Sequence, residues 1–356
     1  SGWGDEGLEL MLELERRLAD PLAALGGGDG VGYVGADVPV EVLLATGRPF
    51  GHLPWKTDAA TPWADQWLES SFPLWSRSIL EQWHAGAFDA LRDVVFTRAD
   101  DAAQRLFYYV RELQGRGKLR GPVPRIFDLA LVRRESSLAH SARAVARLAS
   151  ELGADAGKLA AGIELGNRVR VQFDQLQGAR SGSGPWFENA TRAALWTGPG
   201  AWLEGLEVPP AAHRPRVLLA GSLPPDARLH QAVEEGGASV VAETHGFRLD
   251  RLGAPLLAGG EEPARAIARH VSERSVGPRS FHDSAQWIVE QARAHRAASV
   301  VLWLTREDES FAWQLPAQRA ALTAAGLPFL ALPATSWLAD DEVLDRIRNF
   351  CKEQAR

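Results

Sequence analysis

Short runs of apolar residues alternate with longer amphipathic segments along most of the chain. The apolar runs predict strands at residues 31–36, 48–53, 93–97, 124–132, 214–222, 238–246, 298–305 and 327–333. Segments in which apolar residues recur every three or four positions predict helices, at residues 5–25, 38–45, 75–90, 99–114, 136–178, 187–198, 226–237, 261–274, 283–296, 314–326 and 340–354. Continuous apolar strands that alternate with helices are typical of parallel sheets covered on both faces. The pattern therefore predicts an α/β fold.

The alternation of strands and helices runs twice along the chain, because it restarts at Arg214 after a long helical stretch. We therefore predict two doubly wound, parallel-sheet domains of the Rossmann or flavodoxin-like type, joined by a helical segment at 136–200. The predicted boundaries are an N-terminal helix over 1–30, a first α/β domain over 31–205 that includes the helical connection, and a second α/β domain over 206–356.

Charge and hydropathy exclude several classes of partner. The 356 residues carry 39 Lys and Arg against 45 Asp and Glu, a net charge of −6. A protein with an excess of dispersed negative charge does not attract a polyanion, so we expect no nucleic-acid partner. No apolar run approaches the length of a membrane span, and the first residues lack the basic and apolar regions of a secretion signal. We expect a cytoplasmic protein with no membrane partner.

The sequence offers few groups for redox or metal chemistry. Cys351 is its one cysteine, which excludes an intrachain disulfide and predicts no iron–sulfur cluster and no thiolate zinc site held by this chain alone. Phosphate-binding, zinc-protease and nucleophile-elbow motifs are absent as well, so we expect no metal site. The tryptophan-rich segment 55–83 indicates either core packing or a contact surface for another protein.

Polar residues follow several of the predicted strands, where ligands of open α/β sheets bind. Arg98, Asp100, Gln104 and Arg105 surround the start of the helix predicted over 99–114. Free N–H groups at a helix N-terminus suit an anionic or hydroxylated ligand, so we expect substrate binding there. Ordinary helix capping with surface ion pairs is the alternative.

Three strand ends in the second half also carry polar residues. Ser222, His245 and Glu307 follow the strands predicted at 214–222, 238–246 and 298–305. His245 and Glu307 are candidates for general acid–base catalysis, together with Asp100, and Ser222 is a candidate for substrate binding. The alternatives are a hydrogen-bonded structural histidine and a solvated acidic loop.

Five segments, in order along the chain, resemble one known family. They are GYVGADVPVEVLLATGRPFGHL (32–53), RSILEQWHAGAFDALRDVVFTRADDAAQRLFYYVRELQ (77–114), PRIFDLALVRR (124–134), AGSLPPDARLHQAVEEGGASVVAE (220–243) and ASVVLWLTREDESFAWQLPAQRAALTAAGLPFLAL (298–332). They resemble the subunits of 2-hydroxyacyl-CoA dehydratases and benzoyl-CoA reductases, in a form that is similar to the 2-hydroxyglutaryl-CoA dehydratase D-component. Glu41 stands at a matching place in the first segment and is a further candidate for substrate binding.

The resemblance implies a chemistry for which this chain lacks the ligands. Such subunits hold an iron–sulfur cluster through cysteines at strand ends, work as heterodimers, and reduce a coenzyme A thioester to a ketyl radical with electrons from an ATP-dependent activator. The family's cysteine positions fall on Gly35, near Pro73, on Asp100 and at or beside Glu307. Cys351 matches none of these positions.

Three functions follow from this resemblance. The first is a cluster-free subunit of a heteromeric enzyme acting on a coenzyme A thioester. It would be inactive alone. It would pair with a homologous subunit that can hold an iron–sulfur cluster. That enzyme complex would be a lyase or an oxidoreductase acting on acyl-CoA. The second is an independent non-redox enzyme that uses Asp100, Glu307 and His245 with Arg98 or Arg105 on an anionic group. The third is a ligand-binding protein without catalysis.

Overall fold

The structure is a computed structural model that describes residues 5–178, 183–199, 206, 213–245, 253–275 and 282–355. Two four-stranded parallel sheets confirm the predicted α/β class and the two Rossmann or flavodoxin-like halves. The first sheet contains, in the spatial order β2-β1-β3-β4, the strands β1 (Gly30–Val34), β2 (Phe50–His52), β3 (Leu91–Thr97) and β4 (Val123–Phe127). The second contains, in the order β6-β5-β7-β8, the strands β5 (Arg216–Gly221), β6 (Ser239–Glu243), β7 (Ser299–Thr305) and β8 (Phe329–Thr335).

Helices fill most of the chain between the strands. They are α1 (Asp5–Ala19), α2 (Val40–Ala45), α3 (Leu74–His84), α4 (Asp101–Gly115), α5 (Glu135–Glu151), α6 (Ala156–Gly178), α7 (Gly184–Thr197), α8 (Arg228–Glu235), α9 (Pro263–Arg274), α10 (Ser284–Ala294), α11 (Glu309–Ala324) and α12 (Asp341–Gln354). Short 3₁₀ turns occupy Ala23–Leu25 and Ala64–Gln66. Among the described helices, none combines the length and the apolar character that crossing a bilayer requires.

The chain folds as two compact units, each built around one sheet. The first unit comprises the described residues within 1–175, 192–206 and 249–281, and the second those within 176–191, 207–248 and 282–356. Helix α9, which the sequence pattern placed with the second half, packs on α5 in the first unit. Its apolar face joins the core of that unit, because Ala264, Ile267 and Ala268 are buried in one cluster with Val145 and Leu148. The predicted domain boundaries stay a prediction.

The central strands are apolar because both of their faces are covered. Every residue of β7 is buried, as is every residue of β3 except Arg92. All strand pairs are parallel. The carboxyl ends of the four strands in each sheet therefore lie at the same edge of that sheet. The polar residues that follow these strands therefore lie at the edge where open α/β sheets bind ligands.

The helix predicted over 136–178 is two helices, so that prediction was wrong. Helix α5 ends at Glu151, and Gly153 adopts a φ of +86°, a conformation that favours glycine and ends helices. The N–H of Ala154 then closes the turn on the carbonyl oxygen of Ala149 at 2.8 Å. Asp155 begins the next helix by accepting a 2.9 Å hydrogen bond from the N–H of Lys158. The Gly-x-Asp signal thus overrides the continuous amphipathic pattern.

Other predicted boundaries differ by a few residues. Helix α3 ends at His84, six residues before the predicted end, because Gly86 adopts a φ of +81°. Helix α11 begins at Glu309, five residues before the predicted start, and contains Pro316 in its interior. The strand predicted over 124–132 ends at Phe127.

Tryptophans of the segment 55–83 contribute mainly to the core of the first unit. Trp55, Trp75 and Trp83 are 3%, 5% and 1% exposed. The indole N–H of Trp83 donates a 2.7 Å hydrogen bond to the carbonyl oxygen of Arg120, which satisfies its polar atom inside the core. The core-packing interpretation of this segment is therefore confirmed for these three side chains.

Candidate functional site

The carboxyl ends of β1 and β3 mark the ligand position of the first sheet. In the order β2-β1-β3-β4 the winding direction reverses between β1 and β3, which is where open α/β sheets bind ligands. Gly35 follows β1 with a φ of +94°, and Asp100 follows β3. A Cβ added to Gly35 would lie 3.3 Å from the Cβ of Asp100, 2.5 Å from Cγ2 of Thr97 and 2.7 Å from the Cβ of Ala103. The fold therefore brings positions 35 and 100 together and leaves no space for a side chain at 35.

Asp100 caps the helix that follows β3. Its carboxylate accepts a 2.8 Å hydrogen bond from the N–H of Ala103 in the first turn of α4. This bond satisfies one of the N–H groups that a helix leaves without an intrahelical acceptor. Asp100 thus has the capping role that the sequence analysis gave as an alternative. Its catalytic role stays a prediction.

His52, at the end of β2, is a third residue at this edge of the sheet. Its Nε2 accepts a 3.1 Å hydrogen bond from the N–H of Gly35, and its Nδ1 lies 2.8 Å from the carbonyl oxygen of Leu53. The proton therefore belongs on Nδ1, which donates to that carbonyl. Burial lowers the pKa of His52 to about 3, because the interior disfavours the imidazolium ion, so the ring is neutral. The rings of Tyr33 and Trp55 pack edge-on against it, with centroids 5.2 Å and 5.6 Å away.

The predicted substrate-binding residues around α4 have different partners. The guanidinium of Arg98 pairs with Asp128 beyond β4, at 2.9 Å between Nη1 and Oδ1. Arg105 pairs with Glu69, at 2.7 Å between Nη2 and Oε2. Gln104 is half-buried in the first turn of α4. Arg98 and Arg105 thus form surface ion pairs, which was the alternative to a binding site. The binding roles of these residues stay predictions.

A basic cavity of about 590 Å³ lies beyond the carboxyl end of β4. Its lining residues include Arg98, Arg134, Arg143 and His140. Asp128 is the one carboxylate among the described lining residues, and it holds both Arg98 and His140, the latter at 3.1 Å between Oδ2 and Nε2. Three guanidinium groups around one space give a lining suited to phosphate or carboxylate groups.

Glu41 lies in the interior of the first unit. It is 1% exposed, and its carboxylate forms an ion pair with the guanidinium of Arg170, which is 3% exposed. Arg170 also donates to Oδ1 of Asn167 at 3.4 Å. The pair joins α2 to α6 and satisfies a charge that burial would otherwise make costly. The role of Glu41 in substrate binding stays a prediction.

The second sheet has an equivalent reversal between β5 and β7. Ser222 follows β5, and its Oγ accepts a 3.0 Å hydrogen bond from the N–H of Thr305 at the end of β7. The hydroxyl of Thr305 donates to Oδ2 of Asp308 at 3.3 Å. Burial raises the pKa of Asp308 above its ordinary value, and hydrogen bonds from Ser222 and Thr305 act in the opposite direction. A serine, a threonine and an acid with a raised pKa therefore meet at this strand end.

Glu307 stands next to this group and is half-buried. Its Oε2 is buried and accepts no hydrogen bond from any residue that the structure describes. Its negative charge also raises the pKa of Asp308. The structure thus groups two predicted site residues, Ser222 and Glu307, around an aspartate that the sequence analysis did not select. Adjacent carboxylates of this kind are typical of acid–base sites.

His245 belongs to another group of side chains in the second unit. Its Nε2 lies 2.9 Å from Oε2 of Glu243, and Oε1 of the same carboxylate lies 3.0 Å from Nε2 of His230. His245 is therefore hydrogen-bonded, as the structural alternative expected. Its role as a general base stays a prediction. Asp100 lies in the first unit, so the three predicted catalytic residues occupy separate groups within their units.

Comparison with known families decides the family of this chain. The model described as "2-hydroxyglutaryl-CoA dehydratase, D-component" matches residues 36–350, which is most of the sequence. The chain belongs to this family. Among curated proteins, no sequence matches it. The matched segment contains all eight predicted site residues and ends one residue before Cys351, so the one cysteine lies outside it.

The residues of this D-component-like chain do not fit an iron–sulfur cluster. Gly35 has neither a side chain nor space for one, and the carboxylate of Asp100 caps a helix. Pro73 immediately precedes α3, and Glu307 is a carboxylate. Cys351 lies on α12 with 0% exposure, and burial raises its pKa to about 12, which keeps the thiol protonated. Clusters are held by thiolates, so no set of described residues supplies the ligands.

Sequence reasoning missed His52, Asp308 and His230. His52 ends a three-residue strand, and its contact with Gly35 follows from the strand order and not from a sequence motif. Asp308 lies in the acidic run after β7, where the neighbouring Glu307 was selected instead. His230 is on α8 and approaches Glu243 through folding alone, since the two are 13 residues apart.

Proposed function

We propose that the chain is a cluster-free subunit of a heteromeric enzyme of the 2-hydroxyacyl-CoA dehydratase and benzoyl-CoA reductase type. It acts on a coenzyme A thioester in the cytoplasm, together with a homologous subunit whose cysteines hold the cluster. The observation that carries the proposal is the pair of positions 35 and 100. They lie together at the reversal of the first sheet, and they hold a glycine in closed space and a helix-capping aspartate. Family membership supports the dehydratase type.

The basic cavity beyond β4 supports a coenzyme A ligand. Coenzyme A carries three phosphate groups, and the cavity offers the guanidinium groups of Arg98, Arg134 and Arg143. Its volume of about 590 Å³ is within the range of small-molecule sites. The remaining lining includes Leu129 and Val132, which suit the apolar parts of the ligand.

Titration calorimetry with coenzyme A tests this assignment. We expect Arg143→Met to weaken binding roughly tenfold, about 1.4 kcal/mol, because one charge-assisted contact to a phosphate is lost. Arg147→Met is the matched control, since Arg147 is one turn further along α5, is exposed, and is not among the lining residues. Equal affinities of the two variants would place the ligand elsewhere.

Anaerobic purification of the tagged full-length protein from its native host tests the subunit assignment. We expect a homologous chain in a stable complex, with iron and acid-labile sulfide. After separation, this chain alone should retain substoichiometric iron under reconstitution conditions that load the partner. Stoichiometric iron and sulfide on the isolated chain would overturn the proposal. So would an iron-free protein without a partner that catalyses turnover by itself.

A second candidate function, an independent non-redox enzyme, rests on the group at the end of β7. Asp308 has a raised pKa and contacts Ser222, and Glu307 lies beside it. Two carboxyl groups side by side, one of them with a raised pKa, can exchange protons with a bound acyl group. If this function is correct, the isolated chain converts 2-hydroxyacyl-CoA thioesters without an activator, and Asp308→Asn abolishes that turnover.

A further inference from the structure

Four titratable side chains form a buried cluster in the second unit. Glu188, His230, Glu243 and His245 are 3%, 0%, 4% and 6% exposed. Carboxylates and histidines are seldom buried this completely unless they are paired or bind a metal. None of these residues takes part in the groups at the ends of β1, β3, β5 and β7.

The fold assembles this cluster from three separate elements. Glu243 is the last residue of β6, and His245 follows two positions later, within hydrogen-bond distance of it. His230 lies on α8, and Glu188 on α7. No local spacing in the sequence relates these positions, which is why a motif search predicts no metal site.

The separations between the ligand atoms match those of a metal centre. Nε2 of His230 lies 3.0 Å from Oε1 of Glu243 and 3.8 Å from Oε2 of Glu188. In a tetrahedral zinc site with bonds of about 2.0–2.2 Å, neighbouring ligand atoms are separated by about 3.3 Å. Both separations from His230 are therefore close to those of a coordination sphere.

The donor set also selects a class of ion. Ligand atoms from Glu188, His230 and Glu243 all lie within 4.8 Å of one another. Imidazole nitrogens combined with carboxylate oxygens favour zinc and neighbouring divalent transition metals over calcium or magnesium. A divalent ion would also place positive charge between two carboxylates that burial makes costly.

We propose that Glu188, His230 and Glu243 bind one divalent transition-metal ion of the zinc class. His245 holds Glu243 through a 2.9 Å hydrogen bond and is a positioning residue beside this site. The three ligand side chains are buried, so bulk solvent has no open path to the ion. The ion would join α7, α8 and the end of β6 in the second unit. This site is independent of the acyl-CoA function and of any iron–sulfur cluster.

Metal titration of the full-length protein tests the proposal. The chelator-stripped protein is titrated with Zn²⁺ in competition with a chromophoric chelator, and its thermal unfolding is followed with and without the ion. We expect one equivalent of tightly bound Zn²⁺, a higher Tm on loading, and affinity at least about 100-fold weaker in His230→Gln and Glu188→Gln. His213→Gln is the matched control, because His213 is an exposed histidine of the same unit.

Cobalt substitution keeps the test decisive if a variant fails to fold. Co²⁺ in the wild-type chain should give the visible absorption of a tetrahedral nitrogen and oxygen site, without the thiolate charge-transfer band that binding to Cys351 would produce. Absence of stoichiometric binding overturns the proposal. So does a thiolate band, or binding that His230→Gln and Glu188→Gln leave as tight as in His213→Gln.

Discussion

The backbone N–H of Gly35 donates a 3.1 Å hydrogen bond to Nε2 of His52. This bond ties the end of β1 to the end of β2 and requires a neutral imidazole, because a protonated ring has no acceptor on Nε2. Acidification therefore both charges a buried side chain and removes the acceptor of a buried N–H group. The hydrogen bond between Gly35 and His52 should therefore break when the imidazole is protonated.

His52 should make folding stability depend on pH. Burial lowers its folded-state pKa to about 3, whereas the unfolded chain titrates near 6.5. Between these values the unfolded state binds a proton that the folded state does not. The stabilisation is therefore complete above pH 6.5 and is lost as pH falls toward 3. Urea denaturation from pH 7.5 to pH 5 should show the wild type losing up to about 1.4 kcal/mol per pH unit more than His52→Gln. Parallel pH profiles would contradict this.

Gly35→Ala should destabilise the protein by about 3 kcal/mol. The new methyl group would lie 2.5 Å from Cγ2 of Thr97, and the backbone φ of +94° is strained for any residue but glycine. Gly47→Ala is the matched control, because Gly47 has a φ of +66° and no atom within 4 Å of an added Cβ. It should cost only the backbone strain, about 1 kcal/mol. Equal losses in chemical denaturation would mean that position 35 is not sterically closed.

Arg170→Met should cost about 3–5 kcal/mol, because it leaves the buried carboxylate of Glu41 without its guanidinium partner. The double variant Glu41→Leu with Arg170→Met should recover most of this loss. Arg116→Met is the control for an exposed pair, since Arg116 and Glu112 are each 64% exposed, and it should change the free energy of unfolding by less than about 1 kcal/mol. A small effect at Arg170, measured by denaturant titration, would argue against a buried pair.

Asp308→Asn should stabilise the protein at neutral pH. Burial raises the folded-state pKa of Asp308, so the folded state binds a proton more tightly than the unfolded state does. Folding stability therefore falls as pH rises through the raised pKa. The asparagine stays neutral, so the gain should disappear at acidic pH, where the wild-type carboxyl is protonated.

Asp340→Asn is the control for Asp308→Asn and should have the opposite sign. Asp340 caps α12 through a 3.0 Å bond from the N–H of Val343, and losing its charge removes about 0.5 kcal/mol of interaction with the helix dipole. If thermal unfolding at pH 7 shows both variants less stable than the wild type, Asp308 is an ordinary cap.

The fold was predictable because strands that are buried on both faces of a sheet consist of continuous apolar residues. The runs that became β3 and β7 are the clearest, and the glycine-terminated helix α8 follows the same logic. The break at Gly153 was missed because amphipathic residues continue on both sides of it. The packing of α9 on α5 was also missed, since an Ala-rich helix face does not identify which core it will join.

The candidate site was predictable only for residues at the ends of strands that are neighbours in the sheet. Ser222 and Glu307 follow neighbouring strands of a doubly wound sheet, so the topology alone brings them near each other. His230 contacts Glu243 from a helix that packs on the sheet. This contact depends on the direction of the side chains, which the periodicity of the sequence does not reveal. Residue type also failed to indicate burial, because Glu41 and Arg170 look like surface residues in the sequence.

The closed space around Gly35 has a consequence for how this lineage can change. A codon change from glycine to cysteine would place the new side chain against Thr97 and Ala103, so it would be removed by selection before any ligand was gained. Smaller residues at those two positions would have to come first, and neither change brings an advantage alone. Introducing a thiolate at position 35 therefore takes more than a single substitution, because the neighbouring side chains have to change as well.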